Sequence, residues 1–330
     1  MICSAPFDRK EGCFVTSSIF MAWKIIFPVI FMLLTGIACR KAGLVGKQTV
    51  QDINRLVFHL FLPLLNFVNI YSTPKDAFLT RDNLVLLGIC VVVTVASILA
   101  ASYVLKLRRC PMPVRSVMVQ GVYQTNGVIF ALPIITALCG SNQLAPLSLL
   151  ILVLSPMYMV FSVLVLEPVR GGSRDLRRTA GEILRNPLLI ASMLAFLLLL
   201  LDIRLPAMLT GVMQTMANVT TPLSFVALGA SLQLNGFQKN WKRIWGVGLV
   251  RLVAVPGLCL AAGLLLGLRD SHIATLVGLM SAPVAVSSFT LAQTYGADGE
   301  LAAQIVTATT VAAAVTMFCW IALLNSLGLL

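Results

Sequence analysis

Two short polar clusters interrupt the most apolar parts of this chain. One runs Gln124-Thr125-Asn126-Gly127 and is followed by Pro133; the other runs Pro283-Val284 and then Ser287-Ser288. Carboxamides and hydroxyls donate and accept hydrogen bonds without titrating near neutral pH, so their chemistry is recognition rather than proton transfer. Backbone groups join them wherever the helix is broken. Proline has no N–H and clashes with the preceding turn, while glycine tolerates the unwound chain. Asn126-Gly127 through Pro133 is therefore predicted to be a helix end, a short extended piece and a new helix start, and Pro283 marks the same sequence of events. At each new start, free N–H groups and the helix dipole favour negative charge. Two such starts meeting in the middle of a bilayer would suit a carboxylate. The competing reading is that Asn126 and the serines hydrogen-bond between helices, as small polar residues often do in membranes.

The ionisable residues point the same way. Every acidic residue, from Asp8 to Glu300, sits near the end of an apolar stretch or in a loop or tail. Cation antiporters and proton pumps place Asp or Glu at mid-membrane, because a carboxylate binds a cation and titrates. Here Arg251 lies about halfway along an apolar stretch, and Arg55 and His59 precede Asn66 and Asn69 in another. A pathway lined by basic and neutral groups suits an anion. Each residue also has a plainer reading. Arg55 is close enough to an interface to snorkel, and Arg251 could brace the protein. His59, a candidate proton carrier by its ordinary pKa, could be a packing residue.

The elements that must position these groups follow from composition. Hydrophobic residues make up 58% of the 330 residues and charged ones 11%, with mean hydropathy +0.95. These values identify an integral membrane protein of the all-α class. At ~20 residues per span, ten spans emerge at roughly 22–40, 48–71, 83–105, 113–139, 144–167, 184–201, 205–233, 243–267, 271–295 and 300–327. The net charge of +12 could suggest nucleic acid, but the basic residues lie in short loops and read as topology determinants. Odd-numbered loops hold 15 of the 24 Lys and Arg and the opposite side 7, which places both termini outside and the Arg-rich link in the cytoplasm. Five spans per half is odd, so the second half enters the membrane inverted. The breaks then fall in spans 4 and 9, the fourth of each half. Gly127 aligns on Pro283 and Gly140 on Gly296 with an offset of 156, and Pro63 aligns on Pro222 with 159. Matched interrupted segments in two halves are the best sequence pointer to a carrier's binding site. The domain reading is an N-terminal extension (1–21), a first five-helix repeat (22–168), a linker (169–183) and a second repeat (184–330). The eight cysteines show no CxxC and no zinc spacing, and no cofactor or metal is expected.

Several motifs carry a family likeness. Asn54-Arg55-Leu56-Val57 with Leu62-Pro63-Leu64-Leu65-Asn66-Phe67 resembles the second span of the auxin efflux carrier family. Asn126 with Pro133 resembles its fourth span, Arg251 with Pro256 its eighth, and Ala282-Pro283 with Phe289, Ala292 and Tyr295-Gly296 its ninth. The resemblance covers about residues 22–328, and its specificity lies in the order and spacing of the motifs. It implies ten transmembrane helices as two inverted five-helix repeats, with broken helices 4 and 9 crossing at the midplane. It also implies a scaffold of spans 1, 2, 6 and 7, a moving unit of spans 3–5 and 8–10, elevator-type alternating access and homodimers in the cell membrane. In the family the asparagine at the crossing helps hold a carboxylate, a role that falls on Asn126. The short link is similar to that of bacterial members, for which dicarboxylates are the usual expectation.

The expected substrate-binding set is thus Asn126, Gly127, Thr125, Gln124, Pro133, Pro283, Val284, Ser287, Ser288 and Asn66. Arg251, Arg55 and His59 are possible anion or coupling partners. An intramembrane protease would need two mid-membrane Asp, or a Ser with His or Lys in facing spans. No paired Asp and no GxSxG is present. A channel or sensor is the alternative to a carrier of a small organic anion.

Overall fold

The computed structural model describes residues 27, 28, 30–72, 80–127, 130, 131, 134, 135, 145–170, 185, 187–231 and 236–329. The N-terminal extension, Pro133 and most of the Arg-rich link lie outside them. The described chain is helical: α1 (30–41), α2 (Lys47–Tyr71), α3 (Arg81–Leu107), α4 (Met112–Tyr123), α5 (Ala145–Leu166), α6 (Pro187–Leu200), α7 (Ala207–Ser231), α8 (236–265), α9a (Asp270–Met280), α9b (Val286–Tyr295) and α10 (Gly299–Ser326). Five stretches among the described residues, in α2, α3, α5, α8 and α10, are long and apolar enough to cross a bilayer. Apolar helices dominate because a bilayer offers backbone groups no water, and a helix satisfies them within the segment. α8 begins seven residues before its apolar stretch, because Lys239, Lys242 and Arg243 lie on a helical turn that the hydropathy reading left in a loop.

The helices start and stop where local chemistry dictates. Thr80 Oγ1 accepts the Asn83 N–H at the head of α3, and Asp298 Oδ1 accepts the Leu301 N–H at the head of α10. α9b ends at Gly296, whose φ of 71° is the left-handed cap that glycine adopts without a Cβ clash. Within α2 and α8, single π turns at Val57–Phe61 and Val250–Ala254 each end two residues before a proline, Pro63 and Pro256. Proline's missing donor and its ring, pressing on the preceding turn, favour that widening.

α2 packs against α6 and α7, and α1 meets α7 through glycines. A Cβ at Gly36 would strike the Val226 carbonyl, and one at Gly229 would strike the Leu33 carbonyl, so the two backbones approach as only small residues permit. The largest apolar cluster joins α3, α4, α5, α8, α9a, α9b and α10 and takes in Leu33 of α1, Val50 of α2 and Phe225, Ala227, Leu228 and Ala230 of α7. Loop contacts sort the ends of the bundle. Tyr71 Oη donates to the Ile203 carbonyl and accepts the Leu205 N–H, joining the α2 end to the α6–α7 loop. His272 Nε2 and Asn83 Oδ1, 3.0 Å apart, join the head of α9a to that of α3. At the other end, the Asp298 N–H meets the Pro113 carbonyl, and Arg40, Lys47, Ser231, Gly296 and Glu300 line one cavity of about 440 Å³.

Candidate functional site

Both expected interruptions are present at their near sides, and they touch. α4 ends at Tyr123, Gln124 is extended (φ −81°, ψ 109°), and helical geometry resumes at Gly127. α9a ends at Met280 and α9b starts at Val286. Between them Thr125 and Val284 form an isolated antiparallel bridge. The Asn126 N–H donates to the Pro283 carbonyl (2.9 Å), and the Ala285 N–H donates to the Gln124 carbonyl (3.1 Å). The pairing is reciprocal, so Asn126 corresponds to Ala285 and Gln124 to Pro283, a separation of 159 (285 − 126 and 283 − 124). That separation also relates Pro63 to Pro222, and the Thr220 hydroxyl donates across the α2–α7 contact to the Phe61 carbonyl (3.0 Å). The 156-residue alignment of Gly127 on Pro283 is therefore three residues out of register with the contact. The α4 break also begins at Gln124, before Asn126-Gly127, because an extended residue on each side is needed to make the bridge.

This pairing changes what the backbone offers. The amides of Asn126 and Ala285 bond to each other's strand. The Val284 N–H donates to Thr309 Oγ1 (3.3 Å), and Thr125 Oγ1 donates to the Leu279 carbonyl that ends α9a (3.1 Å). In a membrane interior each such group left unpaired would cost several kcal/mol, so the crossing consumes most of its own polarity. Val286 and Ser287, the first two residues of α9b, are the helical N–H groups with no acceptor inside their own helix.

Arg251 completes the crossing. It is fully buried, in the π turn of α8. Its Nε donates to the Ala282 carbonyl (3.1 Å), and Nη1 lies 3.5 and 3.4 Å from the carbonyls of Val122 and Tyr123. One guanidinium thus gathers carbonyls at the C-terminal ends of α4 and α9a, where helix dipoles leave negative charge. It does not line the cavity described next. Arg55 and His59 are also outside that cavity; both are exposed on α2, with His59 Nδ1 2.9 Å from the Arg55 carbonyl.

Beside the crossing lies a cavity of about 110 Å³, walled by Leu62, Leu65, Asn66 and Asn69 of α2, Gln124 to Gly127, Ser155, Tyr158 and Met159 of α5, Thr220 and Thr221 of α7, and Ala285 to Ser287. Asn66, Asn126, Gly127, Thr125, Gln124 and Ser287 of the expected set meet here. Pro283 and Val284 form the bridge behind the wall, and Ser288 is buried away from it. Asn66 and Asn126 are more than nine-tenths buried, and neither Nδ2 has a protein partner. Gln124, by contrast, is engaged at both ends of its carboxamide: Nε2 donates to Ser287 Oγ (3.0 Å), and Oε1 accepts from Ser162 Oγ (3.3 Å). Gln120 and Tyr123 also reach Ser162, which holds Gln124 in place.

The α5 and α7 walls were missed from the sequence, although signals existed. Ser155 and Tyr158 flank Pro156 inside α5, and Thr220-Thr221 precede Pro222, the proline matched to Pro63.

Below the cavity, Val57, Phe58 and Leu62 of α2, Met159, Val163 and Leu166 of α5, and Leu291 and Tyr295 of α9b form a separate buried apolar cluster. Phe58 and Tyr295 meet edge-on, with ring centroids 6.5 Å apart. Within the same layer Thr290 Oγ1 donates to Asn54 Oδ1 (3.3 Å). Along α2 this plug separates the crossing cavity from the larger one at Val50 and Gln51.

A family model described as membrane transport protein matches residues 21–321. No curated protein matches the chain.

Proposed function

The chain belongs to that membrane transport family, the auxin efflux carrier group, over residues 21–321, and from this premise we propose that it is a secondary carrier of a small organic anion, a mono- or dicarboxylate. The observation that carries this reading is the pair of buried, unpartnered carboxamide donors, Asn66 and Asn126, on opposite walls of one cavity. A buried N–H without an acceptor is costly, and a carboxylate oxygen is the acceptor that best repays it. The first-turn amides of α9b add a weakly positive end to the same space. Thr125, Gln124, Gly127 and Ser287 complete the binding surface, and Pro283 and Val284 set the break that creates it. Ser288 and Arg251 support the crossing from behind. Arg55 and His59 are left without a substrate role.

Transport proceeds by elevator-type alternating access between a scaffold of spans 1, 2, 6 and 7 and a moving unit of spans 3–5 and 8–10. The cavity lies between the two sets, since α2 and α7 supply one side and the crossing with α5 the other. The 159-residue correspondence at both the crossing and the α2–α7 contact supports two inverted repeats, 22–168 and 184–330, joined by the linker 169–183. The basic end of the bundle, with Arg40, Lys41, Lys47, Lys106, Arg108, Arg109 and Arg115, faces the cytoplasm of a cell membrane. In that orientation the plug at Phe58 and Tyr295 closes the site on the cytoplasmic side. The lipid-facing stripe of α7, with exposed Gln214, Thr215 and Asn218, supports a homodimer.

The test is flux of labelled carboxylates into proteoliposomes holding the full chain. Saturable uptake that Asn126→Ala abolishes is the expected result. Non-saturating flux with unitary currents would mean a channel, and no carboxylate flux under any gradient would end the proposal.

A further inference from the structure

Resting on the anion reading, the charge content of the site assigns a narrower substrate: we propose that it accepts a small monocarboxylate and rejects dicarboxylates of the same size. Among the described residues lining the cavity there is no Lys, Arg or His. The residues of spans 4 and 5 that fall outside the described set cannot supply one, because nothing between Ser116 and Leu166 is Lys, Arg, His, Asp or Glu. The same holds for α7 from Ala207 to Ser231 and for 273–295. Arg251, the buried cation nearest the crossing, spends Nε and Nη1 on the carbonyls of Ala282, Val122 and Tyr123; its Nη2 has no protein partner, but the residue is not among those lining the cavity.

The groups lining the cavity that can meet a ligand's charge are themselves neutral: the Nδ2 groups of Asn66 and Asn126, and the helix start at Val286 and Ser287. A helix N-terminus contributes roughly half an elementary charge. Together with two amide donors it can hold one carboxylate. A second carboxylate, a few ångströms from the first, would lie against Leu62, Leu65, Met159 and Val286 or uncharged hydroxyls. A dehydrated charge without a counter-charge or a full set of donors is strongly disfavoured there.

Malonate and its monoamide, malonamate, separate charge from shape, because they have the same number of non-hydrogen atoms and differ by one charge. Binding of each to the purified full chain is measured by calorimetry at mildly alkaline pH, where malonate is a dianion. Malonamate is expected to bind roughly tenfold or more tightly than malonate. Thr221→Lys, which puts a cation into the cavity wall, is expected to narrow or reverse that ratio, and the wild-type ratio alone decides the matter if this variant does not fold. Malonate binding as tightly as malonamate to the wild type would overturn the inference and leave the carrier of anions standing. Binding of neither compound, nor of acetate or propionate, would remove the anion reading and the inference with it.

Discussion

At the scale of single residues, the site divides groups that hold the protein from groups that wait for a solute. Asn66 and Asn126 leave their amide donors unpaired, so alanine there removes no protein partner. Asn66→Ala and Asn126→Ala should each weaken carboxylate binding by about 10- to 100-fold, the worth of a hydrogen bond to a charged acceptor. The same samples should melt within a degree or two of wild type; a large fall in melting temperature with unchanged affinity would make the asparagines structural. Arg251 should behave in the opposite way. Its planar fork spans carbonyls from two broken helices, and a lysine carries the charge without the fork. Arg251→Lys is expected to destabilise the folded protein by about 2–4 kcal/mol, through carbonyls left unsatisfied in the membrane. Thermal unfolding in detergent reads it, and a variant as stable as wild type would show that the carbonyls find other donors.

At the scale of elements, the crossing is held by β-type pairing between two segments that are otherwise helical. Extended backbone survives here because each exposed group has an assigned acceptor or donor: Pro283 for Asn126, Gln124 for Ala285, Thr309 for Val284. Helix limits were largely legible beforehand. Six of the ten predicted spans agree with α2, α3, α5, α6, α7 and α10 to within a few residues, because a 20-residue apolar run between polar loops has few alternatives. The register of the crossing was not legible. Gly and Pro mark where a helix can break, but the point of contact depends on which extended peptides meet, and this moved the match by three residues. The plug beneath the cavity belongs to the same scale, because no single helix forms it. Phe58→Ala removes the edge contact with Tyr295. In a chain with its native cysteines replaced, Leu65→Cys should be labelled by an impermeant thiol reagent from one side of the membrane. Adding Phe58→Ala should open labelling from the other side, and unchanged one-sided labelling would place the barrier elsewhere.

For the whole molecule, the distribution of charge sets both orientation and driving force. With the interior negative, moving one negative charge outward is favoured by roughly 2.3 kcal/mol per 100 mV, and among the described residues no Asp or Glu lines the cavity to carry a coupling cation. Efflux of a monoanion from proteoliposomes is therefore expected to follow an imposed potential and to be indifferent to a pH gradient. Flux driven by the pH gradient alone would replace this scheme with proton coupling. The cavity's place between α2 and α7 on one side and the crossing on the other is also a property of the assembled bundle. It decided which of the polar residues noticed along the chain share one space. Arg55 and His59 looked equivalent to Asn66 in sequence, yet they lie on the exposed face of the same helix.

The sequence by itself determined the membrane class, most helix boundaries, the neighbourhood of each interruption and the family, since each depends on local composition or on short ordered motifs. Only the tertiary structure decided which amides are spent on the bridge, that Arg251 serves carbonyls, and that Asn66 and Asn126 stay unpaired across one uncharged cavity. Those outcomes depend on which groups, far apart in the chain, come within about 3 Å of each other, a distance that neither hydropathy nor spacing encodes.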